Sequence, residues 1–543
     1  MTDTTESAVE DADIHEVVDD SLGRIRIATV PLPEYVRAPS ATYTPGGRVF
    51  LLFRVEQDPA EWMRAAVVDD DGSDFTEIFA GPVPQKPTAN GIRHMPFADN
   101  RRMLLGDYVL EATPSFDAAD RVELVPVDYP WNLTADPLTS HHWSEIIVSP
   151  DGERIAWTIL RTDMTAVVAL GRLRRDDRYT IVEPVIISST DALAPDAHRD
   201  GYFSTRTMLG GEVKQFVRGG TAISSVGDGG APLTDSVIQD LLTDALDPIT
   251  RTPGYDETTI LSPDERFGIV MTSRASETTN PAFLGLVPRP HATLVTMWLA
   301  WVVYQYTVSG VRSFRRGNIG PVLIDVERSQ AERDYRGVPL NSVDDSWVYV
   351  SPMSWHPGGR HVMWMEMQRS SGSDGRLGPV LRIRTAELAE HTPGEPVPVV
   401  PTPATTPSAV SGREAEELLG RTADFVPSGR IAGAHSGYLE FDRSTDGQGA
   451  WSATSRYVGY SDDGRNIYNG IERSSGSMAS GAVYEADLEL VGDVGGEMRL
   501  RATWSGLGDG TRLLFDPAPD GAPRSHGFSR YGDTVLRIED LAE

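Results

Sequence analysis

A tight-turn tetrapeptide of the Ser-Pro-Asp-Gly type, each time beside a short apolar run, returns along this chain and restricts it to a repeating β architecture. Five copies are clear: TPGGRVFLLF from Thr44, SPDGERIAWTIL from Ser149, SPDERFGIVMT from Ser262, HPGGRHVMWM from His356 and SDDGRNIYNG from Ser461. Three weaker ones are ADNRRMLLGDYV from Ala98, LGGEVKQFV from Leu209 and LGDGTRLLF from Leu507. Their third positions fall at 46, 100, 151, 211, 264, 358, 463 and 509, so most spacings are near fifty residues and two, 94 and 105, are long. Proline presets φ and glycine accepts positive φ, so each copy joins two antiparallel strands. The flanking runs are rich in Val, Ile, Trp, Tyr and Phe, and fifty residues accommodate four such strands.

The pattern predicts an all-β fold, a β-propeller of seven or eight four-stranded blades with two long insertions. One insertion spans about 277–345 and carries LVTMWLAWVV at 294–303 and the basic run VRSFRRGN. Its apolar stretch is half the ~20 residues a membrane span needs and reads as a buried strand or helix. The other spans about 370–440 and carries HTPGEPVPVVPTPATTP, whose six prolines between Pro393 and Pro407 predict an extended or mobile loop. Residues 1–20 read as a disordered acidic lead and 21–543 as a single propeller domain. The ring is expected to close by pairing the C-terminal TVLRIEDL with GRIRIATV from Gly23.

On these turns the chain resembles the TolB-like propellers, also called PD40 or WD40-like repeats, over roughly residues 35 to 540. The resemblance implies that the innermost strand of each blade runs toward its turn. Residues five to ten positions before a turn would then line the opposite mouth of a central funnel. Those positions hold Arg37; Arg93 and His94; His141, His142, Trp143 and Glu145; Tyr202 and Arg206; Tyr255, Asp256 and Glu257; Trp347 and Tyr349; and Arg456 and Tyr457. His94, His142 and Tyr202 are the candidate catalytic groups. Arg93, Arg206, Arg456, Trp143, Glu145, Trp347 and Asp256 are the candidate substrate-binding groups, with arginine for carboxylates and aromatics for ring stacking. A polar channel holding only water is the bland alternative. Adjacent strand residues point to opposite faces, so only one of His141 and His142 can face the axis. His356 and His361 flank a turn and are expected to be structural.

Composition narrows the partners. The 543 residues hold 49 basic and 79 acidic side chains, a net charge of −30 that repels nucleic acid and anionic lipid. Lys86 and Lys214 are the only lysines, and no role is read from them. Without cysteine there is no disulfide, thiolate nucleophile or Cys-ligated metal. The first twenty residues carry eight acidic side chains and no Lys or Arg, unlike a secretory signal, so a cytoplasmic protein is expected. No nucleophile elbow precedes an α/β-hydrolase-like pattern.

The nearest enzymatic precedent among similar propellers is the oligogalacturonate lyase type. That resemblance implies a cation to neutralise a uronate carboxylate, a role for Arg93, Arg206 or Arg456, and a base such as His94 or His142. It also allows a divalent metal, although this sequence contains no His-x-His; no organic cofactor is indicated. The expected function is a polar central funnel that binds, and in the enzymatic reading processes as a lyase or hydrolase, a carbohydrate-like or carboxylate-bearing small molecule. The other reading is a non-catalytic scaffold taking a protein partner on the rim.

Overall fold

The computed structural model describes residues 15–19, 22–84, 94–133, 136, 139–161, 166–189, 193–205, 211–227, 234–277, 279–289, 293–313, 315–341, 346–369, 380–420, 426–446 and 448–542. The chain is all-β in class, with 51% strand, 11% helix and several sheets.

Six antiparallel units, called sheets I to VI, follow one another, and the second and third are joined edge to edge by a short parallel pairing, Val127↔Tyr179 and Asp128↔Thr180. Sheet I runs from Arg37–Tyr43 through Val49–Arg54 and Trp62–Val68 to Thr76–Pro82, and sheet II from His94–Pro96 to Arg121–Asp128. Sheet III runs from Thr139–Val148 to Tyr179–Ser189, sheet IV from Val213–Val217 to Leu246–Pro248, and sheet V from Asp256–Leu261 to Val338–Pro339. Sheet VI takes Trp347–Trp355, His361–Gln368 and Leu381–Leu388, and adds Gly23–Thr29 and His15–Asp19 from the other end of the chain. The first strand of each sheet lies against the first strand of the next, and that of sheet VI lies against Arg37–Tyr43. Second strands such as Val49–Phe53 and Phe267–Thr272 are buried throughout, as strands packed on both faces must be.

The strands from Ser428–Ala432 to Thr534–Arg537 form one eight-stranded antiparallel meander. Gly481–Val491 shows why these residues pack on one face only, because buried and more exposed positions alternate along it. The meander shares a buried cluster with sheets V and VI, in which Ile25, Tyr255 and Trp364 join Tyr457, Tyr484 and Trp504. Its anchor is Arg289, fully buried 3.0 Å from Glu472, whose two oxygens accept from the hydroxyls of Tyr457 at 2.9 Å and Tyr484 at 2.7 Å.

Several expectations are corrected. The turns at Ser461 and Leu507 lie inside the meander and start no separate four-stranded blades. The N-terminal strand pairs with Leu381–Leu388 through Ile25↔Leu388 to Thr29↔Arg384, while Thr534–Arg537 pairs within the meander. The turn of sheet IV is not LGGE at 209 but Arg218–Thr221, where Arg218, Gly219 and Gly220 all have positive φ. The segment 277–345 contains two strands of sheet V, and 370–440 contains Leu381–Leu388 of sheet VI. His15–Asp19, inside the expected lead, is a strand; residues 1–14 and 20 lie outside the described residues. The apolar stretch is the helix Thr293–Tyr304, and no described helix is long and apolar enough to cross a membrane.

The proline-rich segment is extended and bonded to the turns of three sheets. The N–H of Gly394 donates to Asp264 at 2.8 Å and that of Val397 to the Pro263 carbonyl at 2.9 Å. Val400 donates to the Gly219 carbonyl at 3.0 Å and Thr402 to Asp151 at 2.8 Å. An extended proline-rich backbone has no internal hydrogen bonds, so its N–H groups are available to these acceptors. Only glycine fits at 219, because φ is 67° there and a Cβ would stand 2.2 Å from the Pro398 carbonyl. The chain then pairs Val410–Ser411 with Tyr179–Ser189 and continues into the helix Gly412–Gly420.

Candidate functional site

The junctions between successive sheets are clasped by side chains, and this decides the place of the two nominated histidines. Between sheets I and II, His94 Nε2 lies 2.7 Å from Ser40 Oγ. Between II and III, His142 Nε2 lies 3.1 Å from Asp107 Oδ1, which also accepts from Trp143 Nε1 at 3.1 Å. Thr158 bridges III to IV, accepting from Val213 N at 3.0 Å and donating to the Gly211 carbonyl at 3.2 Å. Gln215 bonds both backbone groups of Leu261 between IV and V. Trp355 Nε1 donates to the Ile260 carbonyl at 2.8 Å between V and VI. Ser354 Oγ accepts from Tyr43 N at 3.0 Å between VI and I, where His361 also meets Asp70 at 2.9 Å. His142 and Trp143 are buried beside Tyr129 and sit in packing rather than in an open funnel.

What converges from the first strands is a different set, centred on Lys214. Its Nζ is 3.0 Å from Glu212, 3.3 Å from Glu145 and 3.7 Å from Glu257. Lys214 is 4% exposed at its side chain, whereas the three carboxylates keep 25%, 16% and 15%. Glu257 also accepts from the Tyr255 hydroxyl at 2.7 Å. Burial, then the charge of Glu257, pushes the Tyr255 phenol well above its ordinary value. Burial pushes Tyr349 up to about 12 and also raises Tyr304, which the helical insertion brings within range of Glu257 and Arg312. Arg312 Nε donates to the Tyr349 carbonyl at 3.4 Å. His141 is held below the ordinary histidine value, mainly by burial and against the pull of Glu212. Raised phenols stay protonated at neutral pH and remain donors, while the carboxylates accept.

Of the nominated residues, Glu145 belongs to this cluster, as do Tyr255, Glu257 and Tyr349 from the wider funnel set. Asp256 instead forms a buried pair with Arg274 at 3.2 Å, and Trp347 lies under the Arg382 guanidinium at 4.0 Å. Tyr202 and Arg456 meet elsewhere, in a cleft of about 490 Å³ between the hairpin Leu193–Pro195/Phe203–Thr205 and the meander, beside the Arg430–Glu440 ion pair. Arg93 and Arg206 lie outside the described residues. Among the described residues no group of three or more His, Asp or Glu side chains is arranged to hold a metal ion. The three carboxylates Glu145, Glu212 and Glu257 converge on an ammonium instead.

Lys214 was missed because the turn of sheet IV was misplaced. Glu145, Glu257 and Tyr349 stand six, seven and nine residues before the third position of their turns, and Lys214 stands six before Gly220, the third position of its own. Counting back from LGGE at 209 leads to Tyr202 and Arg206 instead.

No protein-family model and no curated protein matches this chain. Among solved structures, oligogalacturonate lyase in complex with manganese is 10% identical, with 70% of this chain and 97% of that one aligned at a TM-score of 0.37. TolB from Acinetobacter baumannii is 13% identical over 65% of each chain at 0.28. Prolyl oligopeptidase B from Galerina marginata is 9% identical over 82% of this chain and 55% of that one, also at 0.28. Alignments this loose decide nothing about the chemistry of this chain.

Proposed function

We propose that the six sheets make a six-bladed ring, closed between sheets VI and I, and that the Lys214 cluster at its axis binds a neutral, hydroxyl-rich small molecule of carbohydrate type. Support for the ring comes from the unbroken succession of first strands and the clasp at every junction. The binding reading is carried by one observation, the convergence of Glu145, Glu212 and Glu257 on Lys214 with their carboxylates partly exposed.

Carboxylates of this kind accept hydrogen bonds from neighbouring hydroxyls, and charge-assisted bonds are about twice as strong as neutral ones. Tyr255, Tyr304 and Tyr349 add protonated phenols and ring surface at the same place. A carboxylate-bearing ligand fits less well, because three acidic groups outnumber Lys214 and Arg312. Lyase chemistry is disfavoured for a second reason: His94 and His142, the nominated bases, are engaged in clasps. The reading is therefore a binding site first.

A thermal-shift screen against glucose, galactose, lactose and cellobiose, with galacturonate as the acidic comparator, tests it. Stabilisation by at least one neutral sugar and not by galacturonate is expected. No response to any sugar would favour the scaffold.

A further inference from the structure

Away from the axis, the C-terminal hairpin and the loops of sheet V enclose a cavity of about 310 Å³, near the lower end of the size that small-molecule sites have. Three arginines, Arg274, Arg333 and Arg336, line it together with Asp334. Arg274 is neutralised by Asp256 at 3.2 Å, and Arg336 reaches Glu277 only at 3.9 Å with both ends in solvent.

Arg333 is different. Its guanidinium lies 4.7 Å from the centre of the Tyr531 ring, and its Nη2 donates to the carbonyls of Gly285 at 2.9 Å and Leu286 at 2.6 Å. Its Nε is buried with no hydrogen-bond partner, and no described carboxylate lies within ion-pair distance of the group. Burial holds its pKa below the ordinary arginine value, with Tyr531 and Asp235 pulling the other way and Arg251 adding to the depression. A half-buried cation costs free energy until an anion meets it. In a chain of net charge −30 this is a local reversal of sign. Leu286 and Leu536 add apolar lining to the cavity.

We infer that this cavity binds a small organic anion, its carboxylate or phosphate head on Arg333 and Arg336 and its aromatic or branched aliphatic body against Leu286 and Leu536. The Arg336 fork, largely in solvent, matches either head group and can bond it bidentately, while Arg333, its Nη2 engaged with two carbonyls, adds its charge and its remaining N–H groups. The site is separate from the axial cluster and does not depend on the sugar reading.

The test is calorimetric titration of the full-length protein with benzoate, phenyl phosphate and the uncharged benzyl alcohol, with hydrogen–deuterium exchange mapped with and without each. At least one anion is expected to bind and to protect residues 526–537 and 333–336, and benzyl alcohol to bind at least about tenfold more weakly, a difference of ~1.4 kcal/mol. The tighter of the two anions identifies the head group. Arg333→Gln should weaken binding at least tenfold. Arg336→Gln, at an exposed position, should weaken it several-fold with the fold intact, so it decides the matter if Arg333→Gln does not fold. Glu257→Gln should leave anion binding unchanged. The proposal is overturned if neither anion binds, if benzyl alcohol binds as well as the anions, if protection appears elsewhere, or if Arg336→Gln binds like the parent.

Discussion

The carboxylate of Asp151 accepts a hydrogen bond of 2.8 Å from the backbone N–H of Thr402, a residue 251 positions later in the chain. Asp264 does the same for Gly394, so the acidic position of two turn tetrapeptides doubles as a fastening point for the proline-rich strap. Burial alone would raise the pKa of Asp151. The Ser149 hydroxyl and the N–H groups of Thr402 and Glu153 outweigh it and hold the group below the usual carboxylate range. Asp264 is lowered against burial in the same way, by Ser262 and by the N–H groups of Gly394 and Arg266. A carboxyl lowered on folding contributes stability above its unfolded pKa of about 4 and loses it as pH falls through the folded value. Asp151→Ala and Asp264→Ala should each cost about 1–2 kcal/mol, allowing for partial exposure. Hydrogen exchange at 394–402 should quicken in both variants and in the parent under acid. Unchanged exchange there would mean that the strap is held by something else.

The buried pair Arg289–Glu472 fixes the meander to the loop before the helical insertion. Removing one partner strands a charge, so Arg289→Ala should cost roughly 3–5 kcal/mol in urea unfolding. Arg289→Met, which also leaves Glu472 and its two tyrosine donors in place, should cost less because it keeps the volume. Equal stability of Arg289→Ala and the parent would contradict this account of the interface.

His142 is a clasp between sheets II and III, so its loss is a stability effect. His142→Ala opens a cavity beside Trp143 and removes a partner of Asp107, at a cost of roughly 2–4 kcal/mol. Any sugar response of the wild type should survive in the folded variant. Full stability together with a lost response would return the histidine to the funnel.

Truncation separates the two N-terminal strands. His15–Asp19 is an edge strand whose Glu16 contacts to Arg24 and Arg26 are exposed, but His15 Nδ1 lies 3.1 Å from the fully buried Arg384, so deleting residues 1–20 should cost about 1–2 kcal/mol and leave the cooperative transition in place. Deleting through Val30 removes Ile25 and Ile27, both fully buried, and should abolish the cooperative transition. Identical melting of the two would mean that sheet VI does not need its borrowed strands.

The repeat was legible because a turn rich in Pro, Asp and Gly is a local signal, and five of the six sheets carry theirs where the tetrapeptides stand. The sixth was lost at sheet IV, where Arg218-Gly219-Gly220 makes the turn without proline or aspartate, and the error carried Lys214 out of view. The turns at Ser461 and Leu507 misled for the opposite reason. A tight turn between two strands reads the same in a blade and in a meander, and only long-range pairing distinguishes them. The partner of Gly23–Thr29 and the strap's acceptors are equally long-range. Proline content predicted extension at 393–407 but could not name the turns that hold it.

The most direct test of the axial reading is calorimetric titration of the parent and of the double variant Glu212→Gln, Glu257→Gln with whichever neutral sugar stabilises the parent in the screen. Neutralising two of the three carboxylates around Lys214 removes two charged acceptors, so affinity should fall at least about a hundredfold at ~1.5 kcal/mol for each, with Tm of the unliganded protein changed by a few degrees at most. An undiminished affinity in the folded double variant, or no neutral sugar bound by the parent, would contradict the claim that this cluster is the ligand site.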